Sequence, residues 1–182
     1  MSGAAHNQSG EPRLRVLVIE DSEAMSYLVR LAELRGDGSF ELVLVSTLQE
    51  ANRLLDTEHF DAVIADLNLP DSNGPDTVRN LHSRGEPTYA WTGSERDLSS
   101  VYHEGADDVF EKSVNVVDQI KNIIQSARLR LRMRELAEQG RDLGLGGWRL
   151  QVEAHLGRVA RVFQQGQRGS GFRAARIVPE GE

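Results

Sequence analysis

The chain has 182 residues, of which 39% are hydrophobic and 27% are charged, and its formal net charge is −7. This length fits one ordinary domain with an appended segment, and no apolar run approaches the roughly 20 residues of a membrane-spanning helix. The absence of cysteine excludes disulfides, thiolate zinc sites and cysteine nucleophiles, and it agrees with a cytoplasmic location. Residues 1–13 are polar and lack the apolar segment of a secretory signal, so we predict a disordered lead there.

The charge is unevenly distributed along the chain. Residues 1–125 carry 10 basic and 22 acidic side chains, a net charge of −12, whereas residues 126–182 carry 11 and 6, a net charge of +5. An acidic body with a basic tail suggests two units with different partners. Basic helices are more often solvated faces than nucleic-acid sites, so we expect nucleic-acid binding to be the weaker interpretation.

The first predicted unit is a strand followed by a helix. The β-branched run at 14–19 is typical of a buried strand in a parallel sheet. Ser22 is the expected N-cap of a helix whose apolar residues recur at helical spacing as far as Leu34, and Gly36 and Gly38 end it.

The same alternation repeats along the chain. Further strands are predicted at 40–45, 62–65, 88–91 and 108–110, and further helices at 48–57, from about 75, at about 95–103 and from about 115. Strands that alternate with helices indicate a parallel sheet covered on both faces. We therefore predict an α/β fold with a five-stranded, doubly wound parallel sheet in the flavodoxin-like order 2-1-3-4-5.

Polar side chains follow four of the five predicted strands. Glu20 and Asp21 follow the first strand, Asp66 the third, Thr92 the fourth and Lys112 the fifth. The carboxyl ends of parallel strands lie at one edge of the sheet, so these side chains should converge. Three carboxylates close together repel one another unless a cation lies among them, and Mg2+ prefers such oxygen ligands. With charge neutralised in this way, a carboxylate can attack a phosphoryl donor and form an acyl phosphate.

Four motifs in this order resemble the receiver domain of response regulators, the chemotaxis-regulator-like module of two-component signalling. The resemblance covers about residues 14–126. The motifs are Val18-Ile19-Glu20-Asp21, Asp66-Leu67-Asn68-Leu69-Pro70-Asp71-Ser72-Asn73-Gly74, Trp91-Thr92-Gly93, and Gly105-Ala106-Asp107-Asp108 leading to Lys112. We therefore expect a cytoplasmic signalling phosphoprotein that is no enzyme beyond its self-catalysed phosphorylation and dephosphorylation.

The resemblance implies a role for each residue of the cluster. Asp66 matches the phosphoacceptor, Asp21 a direct ligand of Mg2+, and Glu20 the acid that contacts the metal through water. Asn68 matches the residue whose main-chain carbonyl binds the metal, which Asp66 also ligates.

The same resemblance implies how the phosphoryl group would be bound and supplied. Thr92 matches the hydroxyl that binds a phosphoryl oxygen, and Lys112 matches the ion-pairing partner of that group. The donor implied is a sensor histidine kinase or a phosphotransfer protein, while the output partner is unknown.

Two positions depart from the family pattern. The family often has Tyr or Phe three residues before the lysine as a rotamer switch, whereas this chain has Val109 there and Phe110 one place later. The lysine is usually followed by a proline in a cis peptide, and here Ser113 follows Lys112. We therefore expect neither an aromatic switch at 109 nor a cis bond before 113.

The segment after the receiver is predicted in two parts. Residues 127–139 continue the last receiver helix, where Leu129, Met133 and Leu136 form a short apolar seam. Two alternatives stay open for this seam: a partner helix, with a homodimer as one form, or packing on the receiver itself. Residues 140–182 are a basic, glycine-containing tail with one candidate amphipathic helix at 148–165 and a disordered end.

Three functions are compared on these grounds. The first is a receiver that is phosphorylated on Asp66 and signals through protein–protein contacts. The second is phosphorylation-controlled DNA binding through the basic extension. The third is an aspartate-nucleophile phosphohydrolase of the haloacid dehalogenase type, but that class has an acid two residues after the nucleophile, and Asn68 stands there.

Overall fold

The centre of the molecule is a five-stranded parallel sheet, as seen in a computed structural model that describes residues 13–93 and 98–142. The strands of the sheet are β1 (Leu14–Ile19), β2 (Phe40–Val45), β3 (Ala62–Asp66), β6 (Thr88–Thr92) and β7 (Asp108–Glu111). A small antiparallel pair, β4 (Asn68–Leu69) and β5 (Ser72–Asn73), follows β3 and was not predicted. The sheet order is β2-β1-β3-β6-β7, which is 2-1-3-4-5 when only its own strands are counted, so the predicted topology is confirmed.

Five helices connect or follow these strands. They are α1 (Glu23–Leu34), α2 (Leu48–Leu55), α3 (Gly74–Ser83), α4 (Leu98–His103) and α5 (Val116–Asp142). The predicted cap of α1 is present, since the Ser22 hydroxyl accepts a hydrogen bond from the Met25 amide at 3.4 Å. Helix α2 ends two residues earlier than predicted, and the predicted start of α4 at about 95 lies outside the described residues.

Buried apolar residues cover both faces of the sheet, because successive residues of a strand point to opposite sides. One face, with Val16, Val18 and Ile64, packs against α1 and α5. The opposite face, with Leu17 and Val63, packs against α2 and α3, and a third cluster joins β6 and β7 to α3 and α4. This is the doubly wound arrangement that was predicted.

The chain divides into two compact units, Met1–Glu135 and Leu136–Glu182. Of the second unit the structure describes residues 136–142, the last part of α5. The predicted lead at 1–13, apart from Arg13, lies outside the described residues, as do the candidate helix at 148–165 and all but 140–142 of the predicted basic tail. None of the described helices combines the length and the apolar character that crossing a bilayer requires.

Candidate functional site at the carboxyl edge of the sheet

Three carboxylates meet where β1 and β3 end. Glu20 and Asp21 directly follow β1, and Asp66 is the last residue of β3, the neighbouring strand. One oxygen from each lies within 4.8 Å of the other two. Glu20 and Asp66 are buried and Asp21 is exposed, so the cluster is open to solvent on the side of Asp21. The strand register therefore brings the predicted acids together.

Lys112, which directly follows β7, inserts its ammonium group among these acids. Its Nζ donates to Glu20 Oε2 at 2.6 Å and to Asp66 Oδ2 at 2.7 Å. The Lys112 side chain is only 16% exposed. When ionised, the three carboxylates and one ammonium leave an excess of two negative charges. Hard oxygen ligands with this charge excess fit a divalent cation such as Mg2+.

Ionising the buried Glu20 carboxyl group costs free energy, and the neighbouring groups change that cost. Burial raises the pKa of Glu20 above its ordinary value of 4.5, and the negative charge of Asp66 acts in the same direction. The hydrogen bond and charge of Lys112 lower it, as does the hydrogen bond that the Ser22 amide donates at 3.1 Å. Lys112 therefore offsets part of the cost of burying the Glu20 carboxylate.

The loop that follows Asp66 folds back beside the acceptor carboxylate. The Asn68 amide donates to Asp66 Oδ1 at 3.1 Å, and the Gly74 amide donates to the Leu67 carbonyl at 2.6 Å. Gly74 has φ = +48°, a left-handed conformation that favours glycine and lets the loop turn into α3. This closed loop, residues 67–74, places the backbone of Asn68 next to Asp66.

Asp71 ties the same loop to the neighbouring helix. Its two carboxylate oxygens accept hydrogen bonds from the amides of Leu48 and Gln49, at 3.0 and 2.9 Å. These amides belong to the first turn of α2, where backbone donors have no partner within the helix. Asp71 therefore anchors the acceptor loop to the N-terminus of α2, a contact that the sequence did not predict.

Thr92 ends β6 and lines one cleft of about 420 Å³ together with Asp66, Asn68 and Lys112. Its main-chain carbonyl accepts the Lys112 amide at 2.6 Å, so the backbones of these two residues are joined directly. Each side chain that was predicted to act here thus borders either the acidic cluster or the cleft.

Sequence reasoning missed the surroundings of the lysine. The Lys112 ammonium lies 5.0 Å from the ring centroid of Trp91, which is fully buried as expected of a packing residue. The indole N–H of Trp91 donates to Gln119 Oε1 on α5 at 2.9 Å. A glutamine near the start of α5 was the only signal, and it does not by itself identify a contact.

The two residues at the expected switch position face opposite sides of the sheet. Val109 is buried with Ala90 and Val101 on the side of α4. Phe110 instead packs on the opposite face, with its ring centroid 6.4 Å from that of Tyr89. Phe110 therefore does not supply an aromatic ring on the face that Val109 occupies.

Comparison with known proteins relates this geometry to one family. Residues 16–125 match the response regulator receiver domain. Regulatory protein VirG of Agrobacterium fabrum is 28% identical over 156 residues, which are 84% of this chain and 60% of VirG. Transcriptional regulatory protein CpxR of Escherichia coli is 30% identical over 142 residues, 76% of this chain and 58% of CpxR. The chain thus spans about three fifths of each of these relatives.

Solved structures show the same fold. The signal receiver domain of a putative LuxO repressor protein from Vibrio parahaemolyticus has a TM-score of 0.60 at 25% identity, over 69% of this chain and 98% of that domain. A CheY-like response regulator receiver domain from Methylobacillus flagellatus has a TM-score of 0.54 at 27% identity, over 63% of this chain and 98% of that one.

Proposed function

Because the chain belongs to the response regulator receiver domain family, we propose that it is a signalling switch whose phosphoacceptor is Asp66. One observation carries the choice of residue. The Asp66 carboxylate lines the cleft, and Lys112 contacts it at 2.7 Å. Asp21 is exposed and Glu20 is buried, which leaves Asp66 as the acid that is both lysine-paired and part of the cleft wall.

The proposed reaction is a transfer of a phosphoryl group to a carboxylate oxygen. An oxygen of Asp66 attacks phosphorus in line with the bond to the donor, that bond breaks, and its electron pair leaves with the donor's leaving group. Lys112 then pairs with a phosphoryl oxygen, and the Thr92 hydroxyl donates a hydrogen bond to another. Because the product is an acyl phosphate, water can later attack phosphorus and regenerate the aspartate, and we propose that the site accelerates this dephosphorylation.

Mg2+ is the proposed metal of this site. Asp21, Asp66 and the main-chain carbonyl of Asn68 would ligate it directly, and Glu20 would contact it through water. The support is the excess of two negative charges and the oxygen-only donor set within 4.8 Å. When bound, the ion neutralises charge on the oxygens of the transferred group.

The proposed donor is a sensor histidine kinase or a phosphotransfer protein, and the proposed output is a protein–protein contact. Its support is the family itself, whose relatives VirG and CpxR carry the names of regulatory proteins. We further propose that residues 14–126 form the receiver, that 127–139 extend its last helix, and that 140–182 form a separate basic tail.

The test is phosphorylation by a small donor. Wild-type protein incubated with acetyl phosphate and Mg2+ should gain one phosphoryl group in its intact mass, and a chelator should prevent this. Asp66→Asn should gain none. Asp56→Asn is the matched control, because Asp56 is exposed, pairs with Arg84 and belongs neither to the acidic cluster nor to the cleft wall. Equal labelling of wild type and Asp66→Asn would refute the assignment. Rapid turnover of acetyl phosphate with no accumulation of phosphorylated protein would indicate a phosphohydrolase instead.

A further inference from the structure

The side-chain amide of Gln119 bridges the two backbone segments that flank Lys112. Its Oε1 accepts hydrogen bonds from the Trp91 indole at 2.9 Å and from the Ser113 amide at 3.1 Å. Its Nε2 donates to the Glu111 carbonyl. Two donors face the oxygen and one acceptor faces the nitrogen, so the network itself determines the orientation of the amide.

These contacts hold the backbone on both sides of Lys112. Glu111 precedes the lysine and Ser113 follows it, and the same glutamine binds both. The Ser113 contact needs a backbone N–H, which a proline at this position would lack. The Lys112 amide itself donates to the Thr92 carbonyl at 2.6 Å. Three consecutive residues are thereby fixed at the end of β7.

Trp91 connects this bridge to the reacting end of the lysine. The indole is held by Gln119 through its N–H, and the face of the same ring lies 5.0 Å from the Lys112 Nζ. A lysine has four rotatable bonds and a point charge, so its ammonium is directed only by what surrounds it. One amide therefore orients both the base of the lysine side chain and the ring beside its tip.

We propose that Gln119 is a positioning residue for phosphoryl transfer that acts through Lys112. The inference rests on the proposed function, in which the Lys112 ammonium pairs with the transferred group. Gln119 lies on α5, whereas the acids lie at the ends of β1 and β3. It should therefore affect the steps that need a placed ammonium without weakening the binding of Mg2+ by the acids.

The first experiment measures the position of Lys112 without any phosphoryl chemistry. The chain has only two lysines, Lys112 and Lys121, so acetic anhydride labelling followed by peptide mass spectrometry compares one with the other. Gln119→Met keeps the length of the side chain and removes all three hydrogen bonds. Its Lys112 should react several-fold faster relative to Lys121 than in wild type. Gln125→Met is the matched control, since Gln125 is an exposed glutamine of the same helix, and it should leave the ratio unchanged.

The second experiment measures function in the same variants. The initial rate of labelling by acetyl phosphate at saturating Mg2+ should fall by about tenfold in Gln119→Met, because misplacing a reacting group by about 1 Å can cost up to about a hundredfold. The Kd for Mg2+, followed by tryptophan fluorescence, should not rise, since the acids remain in place and a displaced ammonium competes less with the ion for their charge. In a Lys112→Met background the Gln119→Met change should reduce the rate no further, because both substitutions then remove the same contribution.

The outcomes separate this inference from the proposed function. If Lys112 reactivity in Gln119→Met equals that of wild type, the positioning role is refuted. An additive loss of rate in the double variant would refute it as well. If wild type is not labelled at all, the proposed function fails, while the lysine reactivity still decides whether Gln119 places Lys112. Should Gln119→Met not fold in a urea titration, Gln119→Glu replaces it. That variant keeps both acceptor contacts and loses the hydrogen bond donated to Glu111. Its Lys112 should also react faster relative to Lys121 than in wild type, but by a smaller factor than in Gln119→Met.

Discussion

Replacing Lys112 with methionine should destabilise the metal-free protein substantially. Methionine has a similar length but no charge, so the change removes the ammonium from Glu20 and Asp66 and leaves the rest of the packing nearly filled. The carboxylate of Glu20 is 0% exposed and that of Asp66 is 7% exposed. Bulk water therefore cannot replace the lost ammonium beside either acid without local rearrangement.

The size of the effect follows from that burial. Removing one partner of a buried ion pair costs about 3–5 kcal/mol, because an uncompensated buried charge remains. We expect a value of about 3 kcal/mol, at the lower end of that range, since the cluster opens to solvent beside the exposed Asp21. For a chain of this size the loss corresponds to a decrease in Tm of about 6–12 °C. Added Mg2+ should reduce the difference in free energy of unfolding between variant and wild type, because a divalent cation neutralises the charge of the same acids.

The assay is urea unfolding in the presence of a chelator and again at saturating Mg2+. Lys121→Met is the control, since Lys121 is the other lysine of the chain and its Nζ donates to the Arg35 carbonyl, at 3.2 Å, and forms no ion pair with another described residue. It should change the free energy of unfolding by less than about 0.5 kcal/mol. Equal effects of the two substitutions in chelator would refute the described pairing of Lys112 with the buried acids.

Four further substitutions, the last of them a control, test separate parts of the structure by urea unfolding. Burial raises the pKa of Asp108 above 3.8, so the folded state holds that proton more tightly, and wild type should lose stability as pH rises from 3.8 through the folded pKa. Asp108→Asn should lack this loss. If the free energies of unfolding of the two proteins differ by the same amount from acid to neutral pH, the prediction is contradicted. Asp71→Ala should cost about 1 kcal/mol by removing the acceptor of two first-turn amides of α2, and an unchanged free energy of unfolding would exclude that anchor. Gly105→Ala should destabilise by more than about 1 kcal/mol, because φ is +100° and the new Cβ would lie 2.4 Å from the His82 ring. Gly85→Ala, with φ = +81° and nothing within 4 Å, should cost less, and the reverse ranking would contradict this packing.

The fold could be predicted because its signals repeat. The apolar run of β1 is followed by a helix that Ser22 caps, and a strand followed by a helix recurs along the described chain. The β4–β5 pair could not be predicted, since two-residue strands have no period to detect. The end of α2 differed by two residues because its last turn has no glycine or proline to mark it.

The acidic cluster could be predicted for a topological reason, whereas its supports could not. Parallel strands in a known order bring Glu20 and Asp66 to one edge whatever the details of packing. The contacts of Asp71 with α2 and of Gln119 with Trp91 join residues that are 22 to 28 positions apart in the sequence, and they depend on the conformations of the side chains. No spacing rule connects such residues, so they became visible only in three dimensions.

The central claim is that Asp66 carries the phosphoryl group, and the most direct measurement identifies the modified residue. Borohydride reduces an aspartyl phosphate to homoserine, which survives proteolysis and can be located by tandem mass spectrometry. After treatment with acetyl phosphate and Mg2+, the account predicts homoserine at position 66 and at no other aspartate. Homoserine at Asp21 or another acid, or a stable phosphoester on a hydroxyl residue with position 66 unmodified, would contradict it.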